Sequence, residues 1–230
     1  MRRRAGFLLL IGVLLALVYA AVSRSGRPAV ETDPAFQEIR VLVDSVRRAS
    51  YPQLQDSEIT IHDLHSDYVF LETRFTFSSY FFARQLRYMM SFNREALARK
   101  VPADGLRAIV AHELAHIDYF QSASRMGLMG LVRLLSSSFN SRFERKADLQ
   151  TIALGYGPGL QSYREWLYRN IPASRIEAKK RDYFSPEEIG AILRAERRHL
   201  EVMRAFERCV PLNLSDIERE AQQPAAACRD

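Results

Sequence analysis

The sequence predicts a helix-rich α+β fold with a small antiparallel sheet. Three observations carry this: apolar residues recur at helical spacing over 33–49 and again after residue 104, β-rich segments crowd into 58–92, and a strong helix start signal returns at residue 185. The chain has 230 residues; without its apolar N-terminus about 200 remain, the size of a single domain with one sizeable core. Charged residues make up 26% and the apolar set 47%, the composition of a folded body. The net charge of +6 could suit nucleic acid, but the arginines are spread out and interleaved with glutamates, as in Arg194 to Arg198, which argues against that partner. Weak attraction to anionic lipid head groups is the more natural use of the excess.

Residues 5–22 are uncharged and mostly apolar, just long enough to cross a hydrocarbon core as a helix. They read as an uncleaved anchor, or as a removable signal peptide, with Val18, Tyr19 and Ala20 resembling a cleavage site. In both readings Arg2, Arg3 and Arg4 hold the N-terminus in the cytoplasm. The body is then extracytoplasmic (periplasmic), either tethered to the inner or plasma membrane by a single pass or exported as a soluble protein. Residues 1–30 form this segment and its linker. Asp33 and Pro34 cap and open a first helix to about Ala49, whose apolar face is Phe36, Ile39, Val43 and Val46. Strands are expected in 58–64, 68–77 and 86–92, with Ser78-Ser79 and Arg84-Gln85 as breaks. Asp104 is expected to cap the next helix, with Leu106, Ile109, Val110, Leu114 and Ile117 as its apolar stripe. Residues 126–135 are apolar but short, a cleft wall or interfacial segment. A helix over about 141–154, a glycine-rich break, and a stretch carrying Trp166 follow. Ser185, Pro186, Glu187 and Glu188 then open a long helix. Cys209 and Cys228 could pair in an oxidising compartment or remain two thiols.

His112-Glu113-Leu114-Ala115-His116 places two imidazoles one helical turn apart, able to reach one ion. Glu113 is rotated about 100° from His112, beside the metal, where it can take a proton from the attacking water. A catalytic Zn2+ keeps three protein ligands and an open fourth position. Tyr119 and Ser122 stand where a metzincin would place its glycine and third histidine, so the third ligand must come from elsewhere. Glu144 and Asp148, again one turn apart, supply a ligand and an acceptor for the free ring N–H of a ligating histidine.

The HELAH motif with Glu144, Ala147 and Asp148 resembles the gluzincin endopeptidases of the CaaX-prenyl-protease and HtpX type, over residues 104–157. The resemblance implies a zincin-like catalytic domain over 31–172, with 173–230 as a C-terminal helical extension packed on it. It also implies zinc on His112, His116 and Glu144, Glu113 as base, Asp148 behind the ligands, and a peptide or protein substrate. Ser141 stands where family members often carry an arginine, and Arg142 comes one place later. The extra membrane spans of multi-span members are absent, so the resemblance is to a single-anchor or soluble relative. Arg142, Tyr156 and Tyr163 are the candidates for stabilising an oxyanion, and Tyr88 to Phe92 is the expected edge strand for an extended substrate. His62 and His65 do not suit a second metal, because strand alternation turns them to opposite faces. His199 reads as a solvated surface residue. The rival function is a membrane-tethered scaffold or chaperone-like factor holding a non-catalytic zinc site, which a closed set of four ligands would mark.

Overall fold

The computed structural model describes residues 33–125, 128, 137–198 and 201–222. The expectations for residues 1–30, for 126–135 apart from Leu128, and for His199 and Cys228 lie outside these residues. Among the described residues no helix is long and apolar enough to cross a membrane.

Helix α1 (Pro34–Ser50) begins where its cap predicts: the Asp33 carboxylate accepts from the Ala35 N–H at 3.0 Å, and Phe36, Ile39, Val43 and Val46 are its buried face. Tyr51 follows, fully buried, and its hydroxyl donates to the Ala111 carbonyl at 2.8 Å, pinning the next long helix one residue before His112.

The sheet comprises β1 (Ile59–Asp63), β2 (Leu71–Phe75) and β3 (Tyr88–Phe92) in the order β1-β3-β2. It is mixed rather than antiparallel: β2 runs antiparallel to β3, but β1 runs parallel to it. The reason lies in the connections. A short helix, α2 (Phe77–Phe82), turns the chain back from β2 to β3 as in a wide hairpin, and β1 then takes the other side of β3. Tyr88–Phe92 is therefore the central strand, not an edge, and Tyr88, Met90, Ser91 and Phe92 are buried as befits a strand covered on both faces. The edges are β1 and β2.

After α3 (Glu95–Ala98), helix α4 (Ala103–Ser122) runs through the centre of the molecule, buried along most of its length. It starts two residues earlier than expected, with Pro102 rather than Asp104 at the cap. Asp104 instead lies in the first turn, where the positive end of the helix favours it and where its carboxylate accepts from the Gly105 N–H and the Ser162 hydroxyl. Helix α5 (Ser137–Thr151) passes through a π-turn at Ile152–Tyr156 into α6 (Gly157–Asn170). Gly155 makes this kink possible with φ of 89°, a conformation disfavoured for side-chain-bearing residues. Then come α7 (Ala173–Asp182), α8 (Pro186–Arg198), α9 (Val202–Arg208) and α10 (Leu214–Gln222). Helix α8 opens at the start signal the sequence predicts, and the structure adds a reciprocal cap: Ser185 Oγ accepts from Glu188 N–H, and Glu188 Oε2 accepts from Ser185 N–H at 2.7 Å.

One apolar cluster joins α1, the sheet and the sheet-facing side of α4; a second joins Leu149, Ile152 and Leu160 to Phe184, Ile192, Phe206 and Ile217. Helices α4 and α6 cross closely because glycines line the crossing. A Cβ at Gly159 would fall on the Asp104 backbone, and one at Gly105 would press on Tyr163. Trp166 is core: it is buried, packs edge-on against Phe70 at 4.8 Å, and donates to the Arg99 carbonyl. Cys209, at the end of α9, is disulfide-bonded.

Candidate metal centre

Burial of α4 places both motif histidines and Glu113 inside the protein, and α5 lies across them with Glu144 facing the imidazoles. His112 Nε2 and His116 Nε2 are 3.1 Å apart, and Glu144 Oε2 lies 3.2 Å from the first and 3.1 Å from the second. A tetrahedral ion with bonds of about 2.0–2.1 Å holds its ligands about 3.3–3.4 Å apart, close to this triangle. Among the described residues no fourth Asp, Glu, His or Cys joins the group.

The proton chemistry of the triangle would suit a cation. Asp148 Oδ1 lies 2.8 Å from His112 Nδ1, and a carboxylate at that distance fixes the proton on Nδ1. His112 Nε2 is then a lone pair directed at a second imidazole nitrogen and a carboxylate oxygen. Without an ion the arrangement draws in protons instead: burial would lower the His112 pKa, but the charge of Asp148 and the bonds to Asp148 and Glu144 raise it to about 9. Glu144 is driven the other way; burial opposes its ionisation, yet His116 and His112 hold its pKa well below the carboxylate range.

Asp148 is fully buried and fully used. Besides facing His112, it accepts from Arg164 Nη2 at 2.9 Å and from the Phe184 N–H at 3.1 Å. These partners outweigh burial and lower its pKa. Glu113, also buried, does not belong to the triangle. Burial raises its pKa, Glu144 adds to the rise, and His116, His112 and the Thr73 hydroxyl oppose it. A carboxylate so placed is ready to receive a proton. His116 is held from behind by Phe143, whose ring stacks on it at 4.7 Å.

No family model, curated protein or solved structure matches the chain.

Of the oxyanion candidates, Arg142 is exposed. Tyr156 is engaged with Ser50, hydroxyl to hydroxyl at 2.7 Å. Tyr163 is buried, and the Glu113 charge acts on it. Three further residues around the site escaped the sequence reading. Arg164 is one, buried against Asp148. Tyr183, at the turn after α7, has its ring 5.9 Å from that of His112 and lies under the Arg164 guanidinium at 4.3 Å. Lys179 has its ammonium 4.9 Å from the Tyr183 ring; burial and Arg164 lower its pKa. Burial and the charge of Glu144 keep Tyr183 protonated, hence a hydrogen-bond donor. No spacing rule links these positions to the motif, although the aromatic Tyr183 among Lys179, Lys180 and Arg181 is a signal that could have been weighed. His62 bonds Thr60 and His65 is exposed near Asp63; they form no metal group.

Proposed function

We propose that the chain is a zinc-dependent endopeptidase of zincin-like architecture, with His112, His116 and Glu144 as ligands and Glu113 as general base. The observation that carries this is the triangle of two imidazole nitrogens and one carboxylate oxygen, 3.1–3.2 Å on a side, with no fourth protein donor among the described residues. A closed structural site would have four. Zinc, when bound, supplies Lewis-acid polarisation and makes water acidic enough to attack at neutral pH. Glu113 takes the proton of the attacking water and hands it to the leaving amine, a role that its burial and raised pKa suit. Tyr163 and Tyr183 are the phenolic donors near enough to Glu113 to be acted on by its charge, and they are the proposed supports for the oxyanion.

An extended peptide would pair with β2, the edge strand packed against α4, rather than with the central β3. The substrate class proposed is an extended stretch of peptide or protein. The test is Glu113→Gln: zinc content should stay equal to that of the parent while hydrolysis of an unfolded protein such as reduced casein is lost. Equal hydrolysis with zinc retained would remove Glu113 from this role, and hydrolysis surviving in His116→Ala without zinc would remove the metal from it.

A further inference from the structure

Helix α2 presents Phe82 with 87% of its surface exposed and Phe81 with 48%, adjacent in sequence. Single exposed apolar residues need no explanation, but a pair of aromatics on one tip marks a contact surface. The tip is built to hold its shape. The Arg125 guanidinium donates to the carbonyls of Ser79, Tyr80, Ala83 and Arg84, clamping the end of α2, and Ser79 Oγ donates to the Thr76 carbonyl while accepting from the Arg87 N–H. Arg84 and Arg87, just beyond the aromatics, are exposed. Among the described residues, the ion pair of the Arg87 guanidinium is a long 3.9 Å approach to the exposed Glu58.

We propose that this tip docks onto an anionic lipid bilayer, with Phe81 and Phe82 entering the head-group and upper acyl region and Arg84 and Arg87 meeting lipid phosphates. An apolar wedge with a guanidinium collar is the side-chain set that such an interface takes up. A bilayer is favoured over a protein partner by the chain's own sequence: residues 5–22 form an uncharged, mostly apolar run of membrane-spanning length flanked by Arg2, Arg3 and Arg4. The described structure starts at Asp33, beside Arg94 and the Phe92 end of the sheet, whereas α2 lies at the Phe75 end. Those ends are one short strand apart, about 17 Å, and the ten residues 23–32 can reach about 33 Å. A bilayer holding the apolar run is thus within reach of α2.

Rings also connect this tip to the metal site. From Phe82 the contacts pass to Phe81, Tyr80, Phe75, Phe120 and His116, with centroid separations of 6.2, 4.8, 5.8, 5.3 and 6.3 Å. If the peptidase reading holds, on which this step alone rests, the site faces peptide segments close to where they leave the bilayer.

The docking is tested on the full chain in vesicles of phosphatidylcholine and phosphatidylglycerol, using Phe82→Trp, with Phe81→Trp as a second reporter. The parent's single tryptophan, Trp166, is buried and supplies the background. Docking predicts blue-shifted emission from the new tryptophan and about twofold or greater quenching by lipids brominated near the head group, with Trp166 in the parent unaffected. Quenching by aqueous acrylamide but not by bromolipid at both positions would overturn the proposal in favour of a free surface. Protection from both quenchers would overturn it in favour of a protein partner. The emission reads lipid contact whether or not the chain cleaves anything, so it does not depend on the peptidase assay.

Discussion

Asp148 serves three groups at once, fixing the His112 proton, neutralising Arg164 and tying the Phe184 backbone into place. Asp148→Asn keeps the shape but weakens the pull on His112, so zinc affinity should fall about 10–100-fold, measured by competition with a chromogenic chelator. Unchanged affinity would mean that His112 is oriented by something else. Arg164→Met probes the same carboxylate from its other side. It leaves a buried charge without its guanidinium, and the expected loss of stability is about 3–5 kcal/mol. The pH dependence follows from the sign of the shift. A carboxylate whose folded pKa is depressed contributes stability in full above its unfolded value of about 4, and loses it as pH falls through the folded value. Removing Arg164 raises the folded value, so the acid-unfolding midpoint of the chelator-treated protein should move upward. A midpoint that stayed put would show that Arg164 does not set the Asp148 charge.

The crossing of α4 and α6 is the element on which the site depends, because Tyr163 and Arg164 ride on α6 while the motif rides on α4. Gly159→Ala would drive a methyl into the Asp104 backbone and pry the helices apart, so both stability and zinc affinity should drop. Gly155→Ala has open space for its methyl but a left-handed φ, so it should cost about 1–2 kcal/mol with zinc affinity unchanged. Equal effects on zinc at the two positions would show that the crossing does not set the site. The sequence made local features legible, since short-range rules govern them: the Asp33 cap, the four buried positions of α1, the helix start at Ser185 and the one-turn spacing of His112 and His116. Strand order was not legible, because residue composition marks 86–92 as a strand but not which strand lies at the centre. Arg164, Lys179 and Tyr183 were missed for the same reason. Arg164 reaches Asp148, Tyr183 reaches His112 and Lys179 reaches Tyr183 only through the packing of α6, α7 and the α7–α8 turn, which no pattern within α4 or α5 encodes.

At the scale of the whole molecule, the site joins segments far apart in the sequence, and a ligand that binds only when they are assembled must stabilise the entire fold. His112 and His116 come from α4, Glu144 and Asp148 from α5, Arg164 from α6, and the Phe184 N–H from beyond α7. At free zinc 100 times its dissociation constant, this linkage is worth about 2.7 kcal/mol. For a chain of this size that corresponds to a rise in Tm of roughly 5–10 °C. The rise should be reversed by a chelator. Glu113→Gln should keep it, because Glu113 stands outside the triangle, and Glu144→Ala should abolish it. The pair of variants separates binding from chemistry: Glu113→Gln keeps the metal without the base, and Glu144→Ala keeps the base without the third ligand. If zinc raises the Tm of Glu144→Ala as much as that of the parent, the carboxylate on α5 is not a ligand, and the convergence of α4 and α5 on a single ion is wrong.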